Sequence, residues 1–174
     1  RWYRKLVHEL TRRGFEIGSV SMDGFQCLSG DTKIPLLDGT TPTIAELVSR
    51  DEPFYLYSID TQTGEVVPGK ATKAFYSGAE DVYAVTLDNG SVVEATAGHP
   101  FMLRDGSFKP LSELSVGQSL MPLYTRDKKT SPSSAFYQQV WHPGLEGTSW
   151  KVGKRRWQFT HSMVNSYFNG PVPK

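Results

Sequence analysis

A single thiol and a Thr-x-x-His pair are the residues of this chain best suited to chemistry. Cys27 is the only cysteine among 174 residues. It opens the run Cys27-Leu28-Ser29-Gly30-Asp31-Thr32-Lys33-Ile34, and Glu94-Ala95-Thr96-Ala97-Gly98-His99-Pro100-Phe101 follows about seventy residues later. Sulfur is the strongest side-chain nucleophile, although a free thiol ionises only near pH 8.5. Attack by Cys27 on the Gln26 carbonyl would move the acyl group from nitrogen to sulfur. The departing nitrogen of Cys27 is a poor leaving group until it is protonated. His99 is the candidate donor, because imidazole titrates near pH 6.5. Thr96, three positions earlier, offers a hydroxyl to the scissile Gln26–Cys27 amide or to the developing oxyanion. Taken singly, each residue has a plainer reading. An isolated cysteine is commonly a small buried hydrophobe, a histidine before proline is commonly structural, and a threonine after a strand is commonly just its end. The three together, in this order, favour chemistry. Asp31 reads as a turn former.

These two runs carry a resemblance. Cys27 to Ile34 is similar to the first motif of the amino-terminal half of inteins, the self-splicing elements with the Hint (hedgehog–intein) fold. Glu94 to Phe101 is similar to their second, the Thr-x-x-His block. The likeness extends from Cys27 to about Leu123. It implies an autocatalytic, single-turnover acyl transfer at Gln26–Cys27 that needs no cofactor and no metal. It also implies an ending, His-Asn before Ser, Thr or Cys, in which the asparagine cyclises. Asn165 and Asn169 are the only asparagines after residue 124, and neither follows a histidine. The expected activity is therefore thioester formation, with splicing completed by a carboxyl-terminal part that these residues do not supply. The implied partners are the flanking polypeptide and that part. A Hint domain that only autocleaves is the alternative.

Charge divides the chain. Residues 1–26 carry five Lys/Arg and three Asp/Glu, residues 27–124 carry six and thirteen, and residues 125–174 carry eight and two. The local balances are +2, −7 and +6. A basic tail on an acidic module reads either as a solvated tail or as a nucleic-acid contact. One cysteine excludes an internal disulfide and a cysteine-based zinc site within the chain. No apolar run approaches the span of a bilayer, and the first residues lack a secretory apolar core. The expectation is no membrane partner, a cytoplasmic location and, since the chain opens on Arg1, a fragment of a longer protein.

The elements that must position the thiol and the imidazole read as mostly β. Residues 1–26 read as a short helix, with Leu6 and Leu10 on its face, followed by a strand over Phe15–Val20. Strands are expected over Thr32–Leu36, Phe54–Ile59, Lys70–Ser77, Asp81–Leu87, Ser91–Ala95 and Phe101–Leu103. A closing segment is expected over Val116–Leu123. Thr43–Val48 behind Pro42 reads as a helix, and Leu111–Leu114 reads as one helical turn. Asp88-Asn89-Gly90 is the clearest hairpin turn, since Asn-Gly readily adopts positive φ. Many short strands with regular turns argue for an all-β module over 27–124.

Residues 125–135, polar and turn-forming, read as a linker. Residues 136–174 then carry Arg155-Arg156-Trp157 and His161-x-x-Val164-x-x-Tyr167-Phe168-x-Gly170-Pro171. That run resembles the lead-in of an HNH homing endonuclease, whose metal-binding histidines would follow Lys174. No nuclease activity and no metal ligand are expected, and His161 reads as a helix packing residue. An inserted endonuclease would leave the tail without a core of its own, partly folded and separable near Lys128-Lys129. DNA is then a candidate partner, and a nucleic-acid-binding fragment on a β scaffold is a third reading. Residues 1–26 would be a host flank. There, Arg12-Arg13-Gly14-Phe15-Glu16-Ile17 and Met22-Asp23-Gly24-Phe25-Gln26 are similar to a segment of phage terminase large subunits.

Overall fold

The computed structural model of the chain describes residues 2–4, 27–145 and 156–170. Its elements run β1 (Trp2–Arg4), α1 (Ile44–Arg50), β2 (Phe54–Ile59), β3 (Val66–Ala71), β4 (Val82–Thr86), β5 (Val92–Thr96), β6 (Pro100–Met102), β7 (Phe108–Pro110), β8 (Pro122–Lys129), β9 (Phe136–Trp141), β10 (Trp157–Phe159) and α2 (Thr160–Asn169). Leu111–Glu113 forms a 3-10 turn. All strand pairs are antiparallel. Three are local hairpins, β2–β3, β4–β5 and β6–β7, and the fourth sheet has the order β1-β8-β9-β10.

Local chemistry explains most of these elements. Thr43 caps α1 by accepting the Glu46 amide at 3.2 Å, and the Glu46 carboxylate accepts the Thr43 amide at 2.7 Å. This reciprocal box satisfies two amides that the first turn would otherwise leave without partners. Asp51 ends the helix in the left-handed region, at φ 47°. Between β4 and β5, Gly90 takes φ 79° and the Leu87 and Ser91 backbones close the turn at 2.8 Å.

The main core joins elements distant in sequence. Tyr57 of β2, Val66 of β3, Leu123 of β8, Val140 of β9 and Met163 of α2 bury one another, with Leu37 packed against them. The Tyr57 hydroxyl donates to the Gln138 side chain and lies 3.2 Å from the Thr160 hydroxyl, which ties β2, β9 and α2 together. Residues 142–145 clasp the β2–β3 hairpin, the β6–β7 turn and β10. The Val66 amide donates to Nδ1 of buried His142 at 3.0 Å, and His142 Nε2 lies 3.0 Å from Gln158 Oε1. Gly144 N–H donates to Gly64 O at 3.0 Å, and Arg104 donates to Gly144 O at 2.8 Å.

Several expectations shift. Residues 125–129, read as the start of a linker, continue β8 and pair with residues 136–140 of β9. Residues 125–135 thus belong to a hairpin. The tail is also joined to the rest of the chain, because Val140 and Met163 lie inside the main core. Composition misled here because pairing with β9 overrides the weak strand preference of Thr125-Arg126-Asp127-Lys128-Lys129. The strand expected over Lys70–Ser77 lies at Val66–Ala71, and residues 72–81 carry no regular structure. Pro68 hid it, since proline cannot donate to a ladder and reads as a breaker. Residues 32–36 form only the isolated bridges Lys33↔Thr43 and Leu36↔Leu56. At the amino end Trp2–Arg4 is a strand against β8. The helix and strand expected further along residues 5–26, and Gln26 itself, lie outside the described residues.

Candidate functional site

β5 is the element that assembles the site. Its strand ends at Thr96, and the residues after Cys27 run antiparallel to it. Leu28 bridges Ala95, Ser29 N–H donates to Glu94 O at 3.0 Å, and Thr96 N–H donates to Cys27 O at 3.0 Å. Cys27 therefore sits at a fixed register beside the end of the strand. The Cys27 amide, the nitrogen that an acyl shift would release, donates to Thr96 Oγ1 at 3.0 Å. The same hydroxyl lies 3.5 Å from Cys27 O. One threonine thus holds Cys27 through both its side chain and its backbone.

His99 follows from a tight turn on the same strand end. Its amide donates to Thr96 O at 3.0 Å, with Ala97 and Gly98 forming the turn. The 3-10 turn after β7 locks this loop, as Leu111 N–H donates to His99 O and Ser112 N–H to Ala97 O, each at 2.9 Å. The imidazole has 0% exposure and packs edge-on against Phe101, with centroids 5.6 Å apart. Ala95 and Thr96 are buried beside it, while Cys27 stays half-buried. Fixing an imidazole by packing lowers the reorganisation required of a proton donor.

The structure brings Cys27, Thr96 and the Thr96–His99 turn into one local unit. It also adds a residue that the sequence did not suggest. Cys27 Sγ lies 2.8 Å from Ser77 Oγ. Ser77 is exposed, fifty residues away, in the irregular stretch between β3 and β4. No local signal marks it beyond its place before Gly78, because the contact exists only once β4–β5 has folded back against the Cys27 segment. Asp31 stands apart from this unit, and its backbone neighbours Gly30 and Thr32 shape the turn instead, through Thr32 N–H to Ser29 O at 3.0 Å.

The chain is similar to segments of longer proteins. It is 33% identical over 151 residues to the B polypeptide of DNA gyrase from Synechocystis sp. PCC 6803, covering 81% of this chain and 13% of that protein. It is 37% identical over 94 residues to the replicative DNA helicase DnaB of Rhodothermus marinus, covering 54% of this chain and 10% of that protein. The chain thus spans about a tenth of the length of these curated relatives. No protein-family model matches it. Among solved structures, a DnaB intein from Synechocystis sp. PCC 6803 superposes with a TM-score of 0.50 at 31% identity, covering 53% of this chain and 65% of that one. Among the described residues no helix is long and apolar enough to cross a membrane. The mostly β architecture and its likeness to that structure give the chain the Hint fold of inteins, and they support a protein-splicing intein domain.

Proposed function

We propose that this chain carries out the first step of protein splicing at the Gln26–Cys27 bond. The Cys27 thiol loses its proton and attacks the Gln26 carbonyl. A carbon–sulfur bond forms, the carbon–nitrogen bond breaks, and the freed amine of Cys27 gains a proton. Thr96 holds the scissile amide by its N–H. His99, fixed one turn away, supplies the proton to nitrogen. The observation that carries this reading is the 3.0 Å bond from the Cys27 amide to Thr96 Oγ1, made by the strand end whose turn also bears buried His99. The substrate is the chain's own amino-terminal flank. A carboxyl-terminal part with a cyclising asparagine would complete splicing. Incubation with dithiothreitol or hydroxylamine should release a peptide of residues 1–26, read by mass. Equal release from Cys27→Ala would remove the thioester from the reading.

A second reading, contact with DNA, draws on the sheet β1-β8-β9-β10. Residues paired across a sheet share a face. Tyr124, Arg126 and Lys128 pair with Trp141, Gln139 and Tyr137, and Trp157 and Phe159 pair with Trp141 and Gln139. This face lies opposite Leu123 and Val140 and has no carboxylate at these positions. Arg126 lies 4.0 Å from the Trp157 centroid, and Arg156 lies 5.4 Å from that of Trp141. Tyr137 is exposed and Tyr124, Trp141, Trp157 and Phe159 are half-buried; rings interleaved with cations suit stacked bases and phosphates. Fluorescence anisotropy with a labelled oligonucleotide should show salt-dependent binding that Arg126→Glu weakens. Salt-independent binding, or none at low salt, would remove this reading.

A further inference from the structure

We propose that Ser77 is a catalytic group of the acyl shift, because its hydroxyl holds the Cys27 sulfur and stabilises it as the proton leaves. The inference rests on the reading of Cys27 as the nucleophile. Three observations carry it. The Cys27 Sγ to Ser77 Oγ distance is 2.8 Å, and either atom can donate. Ser77 reaches the sulfur from outside the β5 unit, so it adds a contact that neither Thr96 nor His99 provides. Thr96 fixes the Cys27 backbone on both its amide and its carbonyl, so the side chain is the part of Cys27 still to be held, and Ser77 holds it.

The chemistry makes this contact more than a tether. With a neutral thiol, sulfur and oxygen exchange a weak hydrogen bond. Once the thiol has lost its proton, sulfur can only accept, and the serine O–H must donate to it. A hydrogen bond to a charged acceptor is roughly twice as strong as a neutral one. Ser77 therefore favours the attacking form over the resting one, which is the condition for accelerating a step. Serine is not consumed. The proton that leaves sulfur is matched by the one that arrives on nitrogen, and the hydroxyl keeps its own. As the carbon–sulfur bond forms, the charge on sulfur passes to the carbonyl oxygen and the contact weakens, so the hydroxyl does not retain the thioester.

The local backbone suits this role. Ser77 lies in the stretch 72–81, without regular structure, and Gly78 follows it at φ 139°, a conformation that a side chain would resist. Phe75 and Tyr76, just before it, are 69% and 77% exposed. The segment is thus anchored to the rest of the site by a polar contact rather than by its large apolar side chains.

The test uses the full chain and its single thiol. Alkylation of Cys27 by iodoacetamide, followed by mass at neutral pH, reports thiolate availability without requiring cleavage. Thiol-induced release of residues 1–26 is followed in parallel. Ser77→Ala should slow both by about fivefold, the worth of one net hydrogen bond at a site that water can reach. Ser77→Thr keeps the hydroxyl and should restore both rates, which a purely structural contribution would not require. Unchanged thermal unfolding of both variants is expected, since Ser77 is exposed. Alkylation of Ser77→Ala at the wild-type rate, or a threonine variant as slow as the alanine one, would overturn the proposal. Ser77-dependent alkylation in a chain that releases no peptide would support the contact and overturn the cleavage reading instead.

Discussion

In the proposed reaction Thr96 and His99 divide the labour around one amide, and the division sets what each substitution should do. Thr96→Ala removes the acceptor for the Cys27 N–H, which water can partly replace. His99→Ala removes the proposed acid, and loss of a general acid typically slows a step by about a hundredfold or more. Thioester formation, trapped with hydroxylamine and quantified by mass, should therefore fall much further in His99→Ala than in Thr96→Ala. Equal losses would mean that His99 serves packing against Phe101 alone. A different residue matters for stability. Gly64 sits at φ 69°, and a Cβ there would lie 2.3 Å from the Gly144 carbonyl carbon. Gly90, at φ 79°, has open space around it. Gly64→Ala should thus unfold the clasp at residues 142–145 and lower the melting temperature by many degrees. Gly90→Ala should incur only the strain of an unsuited φ, on the order of 1 kcal/mol. Calorimetry of the two variants separates backbone collision from backbone conformation.

At the scale of elements, α1 offers a direct check of local chemistry. Thr43→Ala should weaken the helix by about 1 kcal/mol, the usual worth of a side-chain cap. The Thr43 amide holds the Glu46 carboxyl below its ordinary range, the Thr43 hydroxyl adding to the effect. A depressed carboxyl contributes stability above its unfolded value and loses it as pH falls through the folded one. The destabilisation by Thr43→Ala, measured by urea unfolding, should therefore shrink below about pH 4. This helix was legible in the sequence because its signals are local: Pro42, Thr43, and Glu46 three residues on. The Asn89-Gly90 hairpin was legible for the same reason, and the neighbourhood of Cys27 and the Thr96–His99 turn, which the motifs suggest, is what the geometry shows. β3 was masked by Pro68, and β8 by its charges. Ser77 left no trace, because its partner lies fifty residues away and neither residue constrains the other along the chain. What pairing alone creates, local pattern does not announce.

Across the whole molecule, the core draws on both sides of the compositional boundary near residue 124. The β8–β9 hairpin tip is exposed, so trypsin should cut at Lys128 or Lys129 as the sequence suggested. The two pieces should nonetheless co-elute on size exclusion, because Tyr57, Val66 and Leu123 on one side bury Val140 and Met163 on the other. Separation of the pieces without denaturant would contradict that core. Tyr57 gives a second measurement. Burial raises its phenol above the usual tyrosine range, outweighing the hydrogen bond to Thr160. The folded state then keeps a proton that the unfolded state releases, so stability should fall as pH rises above about 10. Tyr57→Phe should flatten that decline while also losing the links to Gln138 and Thr160.

The short strand β1 carries a kinetic implication. Trp2–Arg4 lies along β8, and Cys27 lies along β5. Whatever path residues 5–26 take between them, both ends of that segment are fastened to the same molecule. While the flank remains attached to sulfur in the proposed reaction, recapture by the Cys27 amine closes a five-membered ring within one residue and is strongly favoured by proximity. The proposed acyl shift is then a reversible shuttle, with both ends of the flank held in place. A three-residue pairing is too short to retain a free peptide. An external nucleophile that cuts the tether converts the shuttle into a ratchet, and the departing flank cannot return.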